Sequence, residues 1–260
     1  MNQTVLITGA SEGIGKELAK LFAESGHHLV LVARNREKLN RLADELSDAH
    51  GVRIHVHDYD LSKPLAPAAL VHTLEESGIT VDMLINNAGF GLYGEFAKLD
   101  PDHQLNMIDL NIRSLTDLTH RLLPGMLQRG HGRIMNVASV AAFQPGPLMA
   151  VYYATKAYVL SFSEALANEL KGTGVTVTAF CPGPTATRFT ERAGLEQSKL
   201  FQSGAMTAEE VARIGYKGFL AGKTVIIPGF RNRLLVTVGR FLPRKTLTAI
   251  IRQVQERRVQ

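Results

Sequence analysis

Three residues in the middle of the sequence have types and spacings suited to proton chemistry: Ser139, Tyr152 and Lys156. Tyr152 and Lys156 stand four apart, so on a helix they project from one face within reach of each other. A phenol is a weak acid, with a pKa of about 10 in water. A neighbouring ammonium favours the phenolate. The spacing therefore predicts a tyrosine of lowered pKa that exchanges a proton with a carbonyl or alcohol oxygen near neutral pH. Ser139 closes the run Arg133-Ile134-Met135-Asn136-Val137-Ala138, which reads as a strand. From the carboxyl side of that strand its hydroxyl can donate a hydrogen bond to the same oxygen. The plainer alternative is a half-buried tyrosine beside a lysine that snorkels to water.

The elements around the triplet bear on that choice. Thr4 to Thr8 reads as a strand and is followed by Gly9-Ala10-Ser11-Glu12-Gly13-Ile14-Gly15. A segment with apolar residues at helical spacing starts at Lys16. A glycine turn between strand and helix lets backbone N–H groups approach a phosphate, and the helix amino terminus adds its dipole. This turn is expected to bind a dinucleotide. The second strand, His28 to Ala33, ends in Arg34-Asn35-Arg36. An acid there would repel a 2′-phosphate, whereas Arg34 can pair with one, so NADP is expected over NAD. Solvated loop arginines are the alternative.

A helix is expected from Arg36 to His50, and a strand from Arg53 to His57 whose histidines form an exposed face without metal-ligand spacing. Asp60 can accept from an adenine amino group. Val81 to Ile85 is a strand ending in Asn86-Asn87-Ala88-Gly89, which suits a cofactor cleft or an ordinary turn. Asp102 to Met126 is helical in character and includes Asn111, an amide that must be either exposed or specifically satisfied. Val151 to Lys171 is the helix carrying Tyr152. Gly174 to Phe180 is a strand closed by Cys181-Pro182-Gly183-Pro184-Thr185. Strands alternating with helices throughout predict an α/β fold, a single doubly wound parallel sheet with helices on both faces.

The 260 residues suit one large domain or two small ones, and the net charge of +5 specifies no partner; no nucleic acid is expected. The lone Cys181 excludes an internal disulfide or a cysteine metal cluster and suits a reducing compartment. Met1 to Thr8 shows no signal-peptide succession, and no apolar run approaches the ~20 residues of a membrane span. A cytoplasmic location is expected.

Taken in order, the motifs resemble the short-chain dehydrogenase/reductase family. The matches are Thr8 to Gly15, Asp60, Asn86-Asn87-Ala88-Gly89, Asn111, Ser139, Tyr152 with Lys156, and Pro182-Gly183, over about residues 1 to 230. The resemblance implies a Rossmann-like domain and hydride transfer between NAD(P) and a small carbonyl or alcohol, with lipid-like or acyl substrates within family precedent. It implies that Tyr152 is the proton donor or acceptor and that Lys156 lowers its pKa and holds the nicotinamide ribose. Ser139 would orient the substrate carbonyl, and Asn111 would support a water path to Lys156. Cofactor contacts are implied for Gly9, Ser11, Gly13, Ile14, Gly15, Arg34, Asp60, Asn87, Ala88, Gly89, Tyr152, Lys156, Pro182, Gly183 and Thr185. Family spacing selects Tyr152 over its neighbour Tyr153. Two rival readings are a regulator that binds NADP(H) without turnover and a membrane-associated scaffold; the complete Ser139, Tyr152 and Lys156 set argues against the first.

Arg188 to Ala205 is expected as a substrate lid or a plain surface loop, and Thr207 as the cap of a helix. A last strand is expected over Lys223 to Gly229. Many family members end near here, whereas residues 231–260 extend the domain. Leu247, Ile250, Ile251 and Val254 predict a helix over Lys245 to Gln255 that packs near the substrate entrance or the outer sheet edge. Its apolar residues among arginines suit the protein's own core, a partner or a membrane surface. A homodimer through the 102–126 and 151–171 helices is implied by the resemblance, and the extension puts the common tetramer in doubt.

Overall fold

The computed structural model describes residues 3–187 and 205–256; the expected lid falls outside them apart from Ala205. Seven parallel strands form the central sheet: β1 (Thr4–Thr8), β2 (His28–Ala33), β3 (Ile54–Asp58), β4 (Met83–Asn86), β5 (Gly132–Val137), β6 (Val175–Phe180) and β9 (Val225–Ile226). Their order is β3-β2-β1-β4-β5-β6-β9. Val5 pairs with Leu29 of β2 on one side and with Met83 of β4 on the other. The order therefore reverses between β1 and β4, and a crevice opens at their carboxyl ends. A separate two-stranded pair joins β7 (Thr185–Ala186) to β8 (Met206–Thr207).

Alternate residues of each strand face opposite layers, and both faces are apolar, as a sheet covered on two sides requires. Val5 and Ile7 pack under α1 (Gly13–Glu24), α2 (Arg36–His50) and α7 (Ala208–Leu220), through Leu18, Phe22, Leu39, Leu42 and Phe219. Leu6 and Leu84 face α3 (Ala66–Glu76), α5 (Leu115–Arg129) and α6 (Ala150–Glu169), through Leu70, Leu74, Leu118 and Leu166. The Thr207 cap is present as a full capping box with Glu210. A buried polar seam ties β4 and β5 to the helices: Asn86 Nδ2 donates to Thr119 Oγ1 (3.0 Å) and Asn136 Oδ1 (2.9 Å), and Asn136 Nδ2 donates to Ser163 Oγ (2.9 Å).

Three expected elements differ in detail. The 102–126 stretch divides into α4 (Pro101–Ile108), a π-helical segment (Asp109–Ser114) and α5, so the ladder is re-registered at Asn111. Only Val225 and Ile226 of the expected last strand pair with β6; Pro228 lacks an N–H, and the chain turns at Gly229 into α8 (Phe230–Gly239). Of the two β3 histidines only His55 is exposed, while His57 is half-buried beside Tyr59. The extension forms α8 and α9 (Arg244–Gln255). No helix among the described residues is long and apolar enough to cross a membrane.

Candidate active site

A cavity of about 570 Å³ lies in the crevice at the carboxyl ends of the strands. One half is walled by the glycine turn. Gly9 sits at φ 65°, and a Cβ there would press on the Ala88 backbone at 3.0 Å. Asn87 holds this turn from the end of β4: its Nδ2 donates to the carbonyls of Thr8 (2.9 Å) and Gly9 (3.1 Å). Thr8 Oγ1 accepts from the backbone N–H groups of Asn87 (3.0 Å) and Ala88 (2.9 Å). Gly9, Ser11, Gly13, Ile14, Asn87, Ala88 and Gly89 all line the cavity. Gly15 does not; a Cβ there would collide with the Gly9 carbonyl, so its part is to let α1 close against the turn. The Glu12 side chain at the N-cap of α1 makes no capping hydrogen bond, and a helix start of this kind suits an anion.

Arg34, at the cavity's edge, is exposed, and no hydrogen bond or ion pair engages its side chain among the described residues. Arg36 is committed elsewhere, to Asp58 at 2.8 Å. Asp60 lines the cavity, with Oδ1 accepting from Ser62 Oγ (2.7 Å) and Ser62 N (3.2 Å), which leaves Oδ2 for a ligand.

In the other half, Ser139, Tyr152 and Lys156 meet. Ser139 ends the β5 run, and its hydroxyl is hydrogen-bonded to that of Tyr152. Ser139 Oγ also accepts from Ala141 N at 3.1 Å. Lys156 is buried, donates to the Val137 carbonyl at 2.8 Å and stands 5.8 Å from the Tyr152 ring centre. Burial pushes the Tyr152 hydroxyl well above the usual phenol range, with the Ser139 hydrogen bond only partly opposing it. Within the protein alone the shift thus runs opposite to the expected lowering: desolvation dominates, and the Lys156 ammonium is spent on the Val137 carbonyl. Burial pulls Lys156 down to about 8 from 10.5. Between those values the unfolded chain holds a proton on Lys156 that the folded chain has lost, so this group's contribution to stability rises with pH across that window, opposed above about pH 9 by the Cys181 thiol, which burial pushes up to about 12. Lys156→Met should abolish this rise. Melting temperatures of variant and parent that run parallel across the window would show the assignment to be wrong.

Asn111 lies behind the cavity wall rather than on it. It is 1% exposed, exchanges hydrogen bonds with the Phe90 backbone (3.1 and 3.0 Å), and donates to Thr155 Oγ1 at 3.1 Å. Thr155 in turn donates to the Tyr152 carbonyl at 2.7 Å. The π-helical segment therefore places an amide that braces both Gly89-Phe90 and the first turn of α6.

Pro182, Gly183 and Thr185 line the cavity, and Thr187 just beyond them lies against Gly13 of the glycine turn. The Thr185 hydroxyl donates to Gly183 O at 2.9 Å, and Gly183 has no room for a Cβ because Asn232 of α8 packs on it. The extension reaches the site again through α9, whose Ile251, Val254 and Gln255 form part of the wall. Gln255 Nε2 donates to the Tyr153 hydroxyl, and the Gln255 carbonyl accepts from Tyr93 at 3.0 Å. Tyr153, set aside by sequence spacing, is thus the anchor of the carboxyl-terminal helix. Phe90, Gln144, Met149 and Thr187 also line the cavity and carried no sequence signal of their own. Among the described residues no cluster of three or more His, Cys, Asp or Glu could hold a metal ion.

Comparison with known proteins addresses what such a cavity belongs to. A short chain dehydrogenase family model matches residues 3–198. The chain belongs to the short-chain dehydrogenase/reductase family. It is an oxidoreductase of hydroxyl and carbonyl groups with a nicotinamide cofactor. Sulfoacetaldehyde reductase 2 of Chromohalobacter salexigens is 39% identical over 221 residues, 82% of this chain and 87% of the relative. A short-chain dehydrogenase from Sphingobium yanoikuyae, solved in complex with NADPH, is 37% identical with a TM-score of 0.83, over 98% of this chain and 99% of that one. A 3-ketoacyl-(acyl-carrier-protein) reductase from Brucella melitensis, complexed with NADH, is 29% identical with a TM-score of 0.78, over 88% and 98%. The chain's own residues fit the cofactor: a close-packed glycine turn, an uncapped helix start and Asp60 line one half of a cavity whose other half holds the Ser139–Tyr152 pair.

Proposed function

We propose that this family member interconverts a neutral carbonyl compound and its alcohol using NADP(H), with Tyr152 exchanging the proton. The hydrogen-bonded Ser139 and Tyr152 hydroxyls beside buried Lys156 carry the reading. When bound, the nicotinamide supplies or accepts the hydride. The two hydroxyls can both donate to one substrate oxygen; Tyr152 gives it a proton on reduction and takes one on oxidation. Burial disfavours a phenolate, so Tyr152 holds its proton until the oxygen of the substrate develops charge. Lys156 and Asn111 hold the strand end and first helical turn that aim the two hydroxyls. Gly9, Ser11, Gly13, Ile14, Asp60, Asn87, Ala88, Gly89, Pro182, Gly183 and Thr185 are assigned to the cofactor. Residues 1–230 act with the extension as one domain, because Ile251 and Val254 complete the wall. Phe90, Ala141, Met149, Ile251 and Val254 favour a lipid-like or acyl substrate over a small charged one. A regulator without turnover would have no use for the Ser139–Tyr152 pair. A panel of carbonyl substrates read by NADPH oxidation, with Tyr152→Phe as the control, tests the whole reading.

Arg34 supports the choice of NADP, since its guanidinium faces the cavity edge without a partner among the described residues. A charge-assisted contact to a phosphate is worth about 1.5–3 kcal/mol. Arg34→Ala should therefore weaken NADPH more than tenfold and NADH little, by roughly that energy. Equal losses in fluorescence titrations with both cofactors would remove the assignment.

Assembly as a homodimer through α4, α5 and α6 is supported by Leu105, Ile108, Leu127 and Tyr158, which are all exposed on those helices. An isologous contact needs only one such self-complementary patch. Light scattering should give the mass of two chains, and a monomer would refute the contact.

A further inference from the structure

The helix α8 is apolar on its outer side as well as its inner one. Asn232, Val236 and Gly239 turn toward the protein, and of these Val236 is the buried apolar anchor. The opposite side carries Phe230, Leu234 and Val238, spaced four apart in one stripe, and Phe241 follows in the turn just past the helix end. Their exposures are 80%, 50%, 49% and 84%, with Leu235 beside them at 61%. Ordinary surface helices point their apolar stripe inward. A contiguous exposed stripe of this kind marks an interaction surface.

Charge narrows what that surface meets. Between Phe230 and Glu256 the basic side chains are Arg231, Arg233, Arg240, Arg244, Lys245 and Arg252, against Glu256 as the sole acid in that sequence. A two-fold contact through this face would set arginines against their own copies, which disfavours a second copy as the occupant. An exposed apolar stripe on a helix that carries Arg231 and Arg233 and is followed by Arg240, Arg244 and Lys245 instead suits an anionic lipid surface, apolar side down. The turn between α8 and α9 adds a recess of about 610 Å³, walled by Phe143, Pro145, Leu242 and Leu247 together with Arg240 and Arg244. A recess with apolar walls and two guanidinium groups offers room for part of a lipid, and a flat protein partner would leave it unfilled.

We propose that α8 and the α8–α9 turn dock this protein on the surface of an anionic bilayer. The full chain should sediment with vesicles of phosphatidylcholine and phosphatidylglycerol at low salt, and far less with phosphatidylcholine alone. High salt should release it, because surface charge attraction is screened. The double variant Leu234→Glu, Phe241→Glu changes only exposed side chains away from the catalytic groups. It should keep its turnover on a soluble substrate yet bind the mixed vesicles more than about tenfold more weakly, since a buried large apolar side chain contributes strongly to partition. Should that variant melt early, Arg244→Glu with Lys245→Glu reads the same contact by charge alone. Failure of the parent to bind the mixed vesicles, equal binding to both vesicle types, or undiminished binding by both variants would overturn the proposal. So would a parent assembly that the double variant splits in light scattering, because a second copy would then cover the stripe.

Discussion

Tyr152→Phe should bind the dinucleotide nearly as the parent does and lose turnover by about 10²–10⁴-fold, the usual range for losing a positioned general acid. The change deletes one oxygen from a buried ring that packs with Met107, Ala141, Met149 and Tyr153, so the wall keeps its shape. Ser139 loses its contact with the Tyr152 hydroxyl but keeps its hydrogen bonds to the Pro182 carbonyl and from Ala141 N, which limits the disturbance to the reacting atoms. Tyr153→Phe is the informative contrast. Its hydroxyl contacts Gln255 rather than Ser139, and burial with that contact leaves it pushed up to about 12. Tyr153→Phe should therefore loosen α9 and shift KM while leaving kcat within a fewfold of the parent. Steady-state rates and a cofactor titration on both variants decide the matter. Wild-type rates for Tyr152→Phe on a true substrate would remove Tyr152 from the chemistry.

The same tyrosines show which features were legible in the sequence. Strand-helix alternation and the glycine turn sufficed for the parallel sheet, because each depends on residues close together in the chain. The cavity gathers Gly9, Asp60, Asn87, Ser139, Tyr152, Lys156 and Pro182 at the strand ends, where a doubly wound sheet must open its crevice. The direction of the Tyr152 shift was not legible. Spacing places an ammonium within reach of the ring, but it does not say how much solvent the fold removes, and here desolvation dominates. Nor could Gln255 be found, since its contact with Tyr153 spans 102 positions and a lone glutamine on an apolar helix face carries no signal. The helical spacing of Leu247, Ile250, Ile251 and Val254 did predict α9, but Ile250 is exposed while Ile251 and Val254 face the cavity. Periodicity located the helix without telling which neighbour would take its stripe.

That helix leads to the second large effect. Truncation after Phe230 should raise KM for substrate and cut kcat/KM by roughly tenfold or more, through lost positioning of the bound molecule. It deletes Ile251, Val254 and Gln255 from the wall, removes the Asn232 support under Gly183, and leaves Tyr93 and Tyr153 without their Gln255 contacts. Of the residues assigned to the dinucleotide only Gly183 loses a neighbour, while the glycine turn, Arg34 and Asp60 lie elsewhere in the cavity, so dinucleotide affinity should change less than KM. The main core between the sheet and α1, α2 and α7 contains no residue of the extension, which places the loss of stability well short of unfolding. Only Val236 and Gln255 are buried among the described residues beyond Phe230, and the cost of uncovering their neighbours should appear as a lowered melting temperature. Aggregation should not follow, because the exposed Leu234, Leu235, Val238 and Phe241 leave with the extension. An undiminished melting temperature together with an unchanged KM would mean that α9 neither covers the protein nor shapes its site. A truncated chain that loses dinucleotide and substrate binding equally would instead show that the extension supports the whole sheet edge through α8, not the substrate half through α9.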